Sequence, residues 1–403
     1  MSEYQYNKVT PEMIEKFKEI APKRVLVGDE INEDFTHDEM AIYGKARPEV
    51  LVEATSTEEV AAVVKLCNEN KVPVTPSGAR TGLVGGAVSI GGGVMISLTK
   101  MNKILGYDKE NFVVKIQSGV LLNDLAQDAE KQGLLDPGEK FTTVGGNVAT
   151  NAGGMRAVKY GCTRDYVRAM TVVLPTGEIV KLGATVSKTS SGYSLLNLMI
   201  GSEGTLGIIT ELTLKVIPAP KSVISLIIPY ENLEDCIATV PQFFMHHLAP
   251  QALEFMEKEV VMDTEKFLGK QVYPKELEGT EIGAYLLATF DGNSEEQLED
   301  IIEQASEVVL EAGAIDVLVA DTPALKKDAW AVRGALLEAI EADTVLLDEC
   351  DVVVPTNKIA EFLTYTKSLE AEADFRVKSF GHAGDGNLHI YACSNDMEEA
   401  EFK

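Results

Sequence analysis

The sequence predicts an α+β chain in which a strand-rich first half is followed by a sheet covered by helices. Three observations support this class: strands separated by glycine-dense loops before residue 217, two prolines in "IPAPKS" at 217–222, and alternating strands and helices beyond. The composition of the 403 residues, 45% hydrophobic and 25% charged, is ordinary for a globular protein. We therefore expect an N-terminal helical segment at 1–45, a first domain at 46–218 and a second domain at 219–403.

Capping residues and apolar spacing predict the elements of the first half. Thr10 followed by Pro11 predicts the start of a helix at 10–21. "PEVLVEATSTEEVAAVVKLCNENKVPVTPSG" is typical of a strand, a helix capped by Thr55 or Ser56, and a second strand. Further strands are predicted at "GGGVMISLTKM", "FVVKIQSGV", "AMTVVLPTGEIV" and "LGIITELTLKVI".

Strands and helices alternate beyond residue 222. The predicted strands are "SVISLIIPY", "AYLLATFDG", "AIDVLVA", "VLLDECDVVVP" and "GNLHIYAC". The predicted helices begin near Leu233, run over Ser294–Ala312 and Pro323–Glu341, and begin again at Lys358. This order predicts a sheet covered by helices, which we expect to be antiparallel.

Charge and cysteine usage exclude several kinds of partner. With 36 basic and 63 acidic residues the net charge is −27, which argues against nucleic acid or an anionic membrane surface. The five cysteines are scattered without a C-x-x-C pair, so we expect a reducing compartment and no iron–sulfur cluster in this chain. The charged N-terminus is unlike a signal peptide, and no apolar run approaches the ~20 residues of a membrane span. These features predict a cytoplasmic protein.

The stretch "PSGARTGLVGGAV" at 76–88 places four glycines within nine residues. Its spacing is not the G-x-G-x-x-G of a dinucleotide fold, we expect a strand and no helix after it, and G-K-[ST] is absent. The interpretation that remains is a nest of backbone amides that holds an anion, with Arg80 as an added positive charge. Taken alone, such a loop is more often plain turn chemistry.

Two further stretches of the same kind favour a long polar ligand. "DPGEKFTTVGGNVATNAGGMRAVKYG" at 136–161 combines glycines with small polar residues, and "GSEGTLGIIT" at 201–210 is again glycine-rich. Exposed amides beside small polar side chains suit a ligand with many polar atoms. Three separated stretches are difficult to explain by turns alone.

Four stretches together resemble the FAD-binding domain of the vanillyl-alcohol oxidase/p-cresol methylhydroxylase superfamily. They are "PSGARTGLVGGA", "TVGGNVATNAGG", "YGCTRDYV" and "GSEGTLGIITELTLKV". "GHAGDGNLH" at 381–389 narrows the resemblance to the FAD-linked D-2-hydroxyacid dehydrogenases, which include glycolate oxidase catalytic subunits, D-lactate dehydrogenases and D-2-hydroxyglutarate dehydrogenases. The resemblance implies a two-subdomain FAD-binding domain followed by a substrate, or cap, domain. It also implies FAD held without a covalent link, with its diphosphate at the amides of 77–82.

The resemblance assigns a set of cofactor-binding residues. They are Pro76, Ser77, Gly78, Ala79, Arg80, Thr81, Gly82, Gly85, Gly86, Pro137, Thr142, Thr143, Gly145, Gly146, Asn147, Thr150, Asn151, Gly153, Gly154, Tyr160, Gly161, Glu203, Gly204, Ile208 and Ile209.

His382 and His389 flank a glycine-rich turn, with His389 on a predicted strand and His382 on the loop before it. Their spacing alone is also compatible with histidines that cap a tight turn. The resemblance implies that they bind a divalent metal, zinc, iron or manganese. Relatives continue with a "GEHG"-like segment that completes the metal site and supplies a base candidate, so we expect the chain to be truncated at Lys403.

Arg333, in "DAWAVRGALLEAI", is the remaining catalytic candidate. A solvated helix arginine is the ordinary interpretation, whereas the resemblance implies a guanidinium that binds the carboxylate of a 2-hydroxy acid. Relatives that act on D-2-hydroxyglutarate carry a lysine near the position of Glu349, so the glutamate here favours a small monocarboxylate. The implied reaction is oxidation of D-lactate to pyruvate by hydride transfer to flavin N5.

The resemblance further implies a protein electron acceptor, either an electron-transferring flavoprotein or an iron–sulfur subunit. Glycolate or D-2-hydroxyglutarate as substrate remains open. An alternative of another class, a metal-dependent hydrolase or binding protein with purely structural glycine loops, also remains open.

Overall fold

The computed structural model describes residues 6–39, 44–135, 142–372 and 374–402. The chain divides into two compact units, Met1–Gly153 with Gly161–Ala219, and Gly154–Tyr160 with Pro220–Lys403. The short segment Gly154–Tyr160 thus groups with the second unit, although it lies inside the range 46–218. None of the helices in these described ranges combines the length and apolarity that crossing a membrane requires.

The α-helices, in chain order, are α1 Pro11–Ile20, α2 Thr57–Glu69, α3 Leu122–Lys131, α4 Val144–Thr150, α5 Ala157–Tyr160, α6 Thr163–Tyr166, α7 Leu195–Met199, α8 Leu233–Met245, α9 Lys258–Leu268, α10 Glu295–Glu311, α11 Pro323–Gly334, α12 Leu336–Ala342, α13 Ile359–Ser368 and α14 Glu399–Phe402. Short 3₁₀ turns occupy Gly28–Glu30, Glu33–Phe35, Thr356–Lys358 and Leu369–Ala371.

The strands of the first unit are β1 Val25–Val27, β2 Val50–Glu53, β3 Val74–Ser77, β4 Val94–Ser97, β5 Ile104–Asp108, β6 Val113–Gln117, β7 Leu134–Leu135, β8 Val167–Val173, β9 Ile179–Gly183, β10 Ile208–Lys215 and β11 Ile217–Pro218. Those of the second unit are β12 Ser222–Tyr230, β13 Ala252–Glu257, β14 Glu276–Leu277, β15 Thr280–Glu281, β16 Ala284–Gly292, β17 Leu318–Ala320, β18 Leu346–Val353, β19 Arg376–His382 and β20 Asn387–Ser394.

Two main sheets organise the first unit. One has the order β1-β2-β4-β3, and the other, which is antiparallel, has the order β5-β6-β10-β8-β9. The helix predicted at 10–21 is confirmed: the Thr10 side chain accepts a hydrogen bond from the Met13 amide, and Met13 and Phe17 are buried. Each sheet has its own apolar core, so the prediction of a two-subdomain architecture agrees with the packing.

The glycine loop joins parallel strands. β3 and β4 pair in parallel, with Val74 opposite Val94 and Ser77 opposite Ser97, and no helix occurs between them. The loop is therefore not a hairpin, since a hairpin joins antiparallel strands. The chain must travel back along the sheet between β3 and β4, and the glycine-rich residues 78–93 cover that distance without a helix.

A seven-stranded sheet of order β17-β12-β16-β13-β19-β20-β18 forms the centre of the second unit. Its neighbouring strands pair antiparallel, as predicted. One face packs against α8, α10 and α13, and the other against α9, α11 and α12. The single helix predicted over Pro323–Glu341 is divided into α11 and α12. The break follows Gly334, where glycine weakens the helix.

Candidate functional site

Glycines in the first unit bring the separated stretches into contact. A Cβ atom on Gly78 would lie 2.2 Å from the Oγ1 atom of Thr143, and one on Gly204 would lie 2.6 Å from the Cγ atom of Pro76. Gly204 also has a φ of +76°, which side chains rarely adopt. The first stretch therefore contacts both the second and the third at positions where only glycine fits.

Backbone donors in the first stretch suit an anion. Within the described part of the chain, the amides of residues 79–82 donate to no protein acceptor. Arg80 has a φ of +61°, in the left-handed region that is uncommon for residues with a side chain. Successive amides in such a turn form a concave nest that binds anions. The residues thus fit the diphosphate of a dinucleotide cofactor.

The Arg80 side chain anchors this loop. Its Nε atom donates to the carbonyl oxygen of Asp34 at 2.8 Å, and its guanidinium lies 4.1 Å above the ring centre of Phe35. The Glu39 amide donates to the Gly82 carbonyl at 3.1 Å. These contacts give Arg80 a structural role in the loop, and its predicted role as an added positive charge for the ligand stays a prediction.

The second stretch is partly helical. Residues 144–150 form α4, which ends at Asn151 with a left-handed φ of +54°. The Asn151 side chain accepts from the Arg164 amide at 3.0 Å, and Thr142 donates to Asn147.

The other predicted cofactor-binding residues fall in several places. Described residues that lie along the three stretches of the first unit are Ser77, Ala79, Thr81, Gly85, Gly86, Gly145, Gly146, Thr150, Gly153, Gly161 and Glu203. Ile208 and Ile209 are 5% and 6% exposed, so their side chains belong to the apolar cores. Gly154 and Tyr160 belong to the second unit, where Tyr160 donates to Asp291. Pro137 lies outside the described residues.

In the second unit both predicted catalytic histidines lie on the same face of the seven-stranded sheet. His382 is the last residue of β19, and His389 lies within β20. The loop position that we expected for His382 was wrong, because residues 376–382 pair continuously with β20. The two rings have centres 5.4 Å apart and planes at 85°. Phe380 lies beside them, with its ring centre 5.3 Å from that of His389.

Glu254 holds one of these histidines. It lies opposite His382 in the pairing of β13 with β19, and it is fully buried. Its Oε2 atom is 2.8 Å from Nδ1 of His382. Burial alone would raise the pKa of Glu254, but His382 and Arg333 outweigh it and lower the pKa. The group is therefore an anion at neutral pH.

Glu349 is placed similarly beside the second histidine. Its Oε1 atom lies 3.4 Å from Nδ1 of His389 and accepts from the Tyr391 hydroxyl at 2.9 Å. Burial, assisted by the charge of Glu349, raises the pKa of the Tyr391 phenol, so Tyr391 remains protonated and is a donor. Each histidine thus has a buried carboxylate at its Nδ1 atom.

The two imidazoles fit a metal in part. A ligating histidine usually bonds a carboxylate through its other ring nitrogen, as here. Two imidazoles on one tetrahedral zinc ion have ring centres roughly 5 Å apart, comparable to the 5.4 Å observed between His382 and His389. Across the described ranges, however, no group of three or more His, Cys, Asp or Glu residues is arranged to hold a metal ion. The predicted metal site is therefore incomplete in this part of the chain.

Arg333 joins the same cluster from α11. The side chain is 7% exposed, and its Nη2 and Nε atoms lie 2.6 and 2.8 Å from Oε2 of Glu254. The guanidinium also lies 4.8 Å from the ring centre of Phe380. The ordinary interpretation as a solvated helix residue is therefore wrong. Arg333 is a buried cation with one edge occupied by Glu254.

Sequence reasoning missed Glu254, Phe380 and Tyr391. A signal was present for the first: in "QALEFME" Glu254 stands between apolar residues in the middle of a strand. A carboxylate is rarely buried unless it is paired, so its presence in such a strand indicates a partner. The identity of that partner could not be deduced from the sequence, because Arg333 and His382 are 79 and 128 residues away.

Comparisons with known proteins agree with this arrangement. Residues 48–183 match the family described as FAD binding domain, and residues 219–402 match FAD linked oxidases, C-terminal domain. The chain is 98% identical to a D-lactate dehydrogenase of Anaerostipes hadrus over 406 aligned residues, covering 100% of this chain and 86% of that protein. It is 39% identical to a D-lactate dehydrogenase of Archaeoglobus fulgidus, covering 84% of this chain and 74% of that one.

A solved structure supports the fold. p-Cresol methylhydroxylase with bound substrate superposes with a TM-score of 0.74 at 17% identity, covering 96% of this chain and 82% of that one. The predicted fold class, an FAD-binding domain of this type followed by an α+β domain with an antiparallel sheet, is confirmed.

Proposed function

Since the chain belongs to the FAD-linked D-lactate dehydrogenases, oxidoreductases with an FAD-binding domain and an FAD-linked oxidase C-terminal domain, we propose that it oxidises D-lactate to pyruvate. The observation that carries this proposal is the cluster of Arg333, His382 and His389 on one sheet face. It combines an anion-binding guanidinium with two imidazoles, which are the groups that oxidation of a 2-hydroxy acid requires. Bound FAD supplies the two-electron acceptor for the hydrogen at C2.

Arg333 is proposed to bind the substrate carboxylate. Glu254 occupies the Nε and Nη2 side of the guanidinium, and an arginine has five N–H donors, so donors at Nη1 remain for a second anion. A guanidinium shared between two carboxylates holds each by charge-assisted hydrogen bonds. The substrate would therefore be oriented by a side chain that is already fixed in position.

The cluster favours a substrate with one carboxylate. Glu254 is fully buried and the Glu349 side chain is 3% exposed, so two anions lie beside the histidines. A second substrate carboxylate placed there would be repelled in surroundings that screen charge poorly. This supports lactate or glycolate over D-2-hydroxyglutarate.

The imidazoles are proposed to act on the 2-hydroxyl group. With Nδ1 directed at a carboxylate, each ring can accept a proton or contact a ligand at Nε2. An imidazole within hydrogen-bond distance of the hydroxyl would take its proton as C2 is oxidised. His382 and His389 are therefore the candidates for orienting the substrate, and a ring whose Nε2 atom is not bound to a metal ion is a candidate for deprotonating it.

The first unit is proposed to hold FAD without a covalent link. The free amides of residues 79–82 would bind its diphosphate, and the contacts of Gly78 and Gly204 would bring the second and third stretches to the same ligand. We retain residues 46–218 as the FAD-binding domain and residues 219–403 as the substrate domain. A protein electron acceptor, either an electron-transferring flavoprotein or an iron–sulfur subunit, is proposed to take up the electrons.

Anaerobic addition of D-lactate to the FAD-loaded protein is expected to bleach the flavin absorbance near-completely. L-lactate and D-2-hydroxyglutarate are expected to react at least tenfold more slowly, the latter because its second carboxylate meets Glu254 and Glu349. Reoxidation by an added electron-transferring flavoprotein, but not by NAD⁺, would identify the acceptor class. A protein that binds FAD but is bleached by none of these acids would refute the proposed function.

We also propose that His382 and His389 hold a divalent ion, which would polarise the 2-hydroxyl group. Purified protein is then expected to contain close to one zinc, iron or manganese ion per chain. His389→Asn should lower that content at least tenfold and leave FAD bound. His246→Asn, at the end of α8, is the matched control and should retain the metal. Active wild-type enzyme without metal, measured by mass spectrometry, would exclude this ion.

A further inference from the structure

Glu254 contacts two of the proposed catalytic side chains. Its Oε2 atom lies 2.6 and 2.8 Å from Arg333 and 2.8 Å from Nδ1 of His382, and its Oε1 atom lies 2.9 Å from the same ring nitrogen. Glu254 is in the centre of β13 and has no exposed surface. The strand is part of the sheet interior, so the carboxylate position is determined by the fold.

We propose that Glu254 is a positioning residue that fixes both the proton position on His382 and the orientation of Arg333. This inference rests on the proposed function, because it assigns a cause to the alignment of the groups that act on D-lactate. Neither Glu254 atom needs to touch the substrate. The carboxylate acts through the two side chains that it holds.

The effect on His382 follows from hydrogen-bond chemistry. A carboxylate anion has only acceptor atoms, so the ring nitrogen that faces it must donate. Both Glu254 oxygens lie within 2.9 Å of Nδ1. In the neutral ring the proton is therefore placed on Nδ1, and Nε2 is left with a lone pair. That is the tautomer needed to accept a hydroxyl proton or to bind a cation.

The effect on Arg333 follows from the shape of the guanidinium. The group is planar, and Glu254 holds the Nε and Nη2 atoms of one edge, while Phe380 lies 4.8 Å away against it. An edge contact and a ring contact together limit rotation of the plane. The Nη1 donors therefore keep a fixed direction. The guanidinium is already oriented for a substrate carboxylate before the substrate binds.

A purely structural ion pair is the competing explanation. It predicts that loss of Glu254 lowers thermal stability but leaves turnover by the folded, FAD-loaded protein unchanged. Glu257 offers a matched control, because it lies on the same strand, is partly buried, and accepts its hydrogen bond from Ser379, away from Arg333 and His382.

The direct test is the proton position on His382 in the FAD-loaded wild-type protein. The chain has only five histidines, so long-range ¹⁵N–¹H correlation spectra are tractable, and His382→Asn identifies the relevant signals. We expect a proton on Nδ1 in the wild-type protein and a changed ring state in Glu254→Gln. A wild-type ring without a proton on Nδ1 overturns the assignment, whether or not D-lactate is a substrate.

Kinetics provide the second test. Glu254→Gln is expected to lower kcat/KM for D-lactate by about 10–100-fold per FAD-loaded chain, with a raised KM and a lowered kcat. Glu257→Gln should stay within about twofold of wild type. If Glu254→Gln does not fold, Glu254→Asp keeps the charge but cannot reach both partners, and the same comparison applies. Parameters that match those of Glu257→Gln, in an enzyme that D-lactate does bleach, overturn the proposal and leave the proposed function intact.

Discussion

Replacing Arg333 with lysine is expected to lower kcat/KM for D-lactate by about 100-fold, chiefly through a higher KM, while FAD stays bound. The lysine keeps a positive charge for the buried Glu254, so the fold should survive. It lacks the planar fork, however, and a single ammonium cannot face Glu254 and the substrate carboxylate in two directions at once. Steady-state kinetics on the FAD-loaded variant measure the effect.

The control for this substitution is Arg24→Lys. Arg24 also pairs with a glutamate, Glu59, at 2.5 and 2.7 Å through two nitrogen atoms, and its side chain is 20% exposed. Arg24→Lys therefore measures how KM changes when a paired guanidinium is lost at a position where no substrate is expected. A KM for Arg333→Lys that equals that of Arg24→Lys would show that Arg333 serves only the fold. We would then need another group for the carboxylate.

The second large effect concerns the cofactor. Gly204→Val is expected to raise the dissociation constant of FAD by about 10–100-fold. A Cβ atom at this position would lie 2.6 Å from Cγ of Pro76, the residue that leads into the amide nest. To relieve the overlap Pro76 must move, and the amides that follow would leave the 2.7–3.2 Å range that hydrogen bonds to phosphate require.

Gly192→Val separates this clash from backbone strain. Gly192 has a φ of +72°, close to the +76° of Gly204, but a Cβ atom there would meet nothing within 4 Å. Both variants therefore impose the same left-handed conformation on valine, and only Gly204→Val displaces Pro76. FAD titration followed by flavin fluorescence should show the two variants to differ. Equal affinities would mean that the contact between these stretches does not shape the cofactor site.

The three glycine-rich stretches could be recognised from the sequence because the information that marks them is local. Glycines are needed where a backbone turns sharply or approaches another, and these positions can be recognised in the residue pattern itself. The absence of a helix in residues 78–93 was equally readable from composition and is confirmed. The parallel pairing of β3 with β4 could not be predicted from the sequence. The relative direction of two strands depends on the path of the chain that connects them and not on the residues of either strand.

By itself, the sequence determined the fold class, many of the strands and helices that build it, and the presence of Arg333, His382 and His389 as isolated candidates. Only the tertiary structure decided which of those side chains contact one another and through which carboxylate. Residues 254, 333 and 382 meet because β13 pairs with β19 and α11 packs on the same sheet face. The physical reason is that local pattern encodes the periodicity of each element. Which side chains share a buried carboxylate depends on register and packing between elements far apart in the chain.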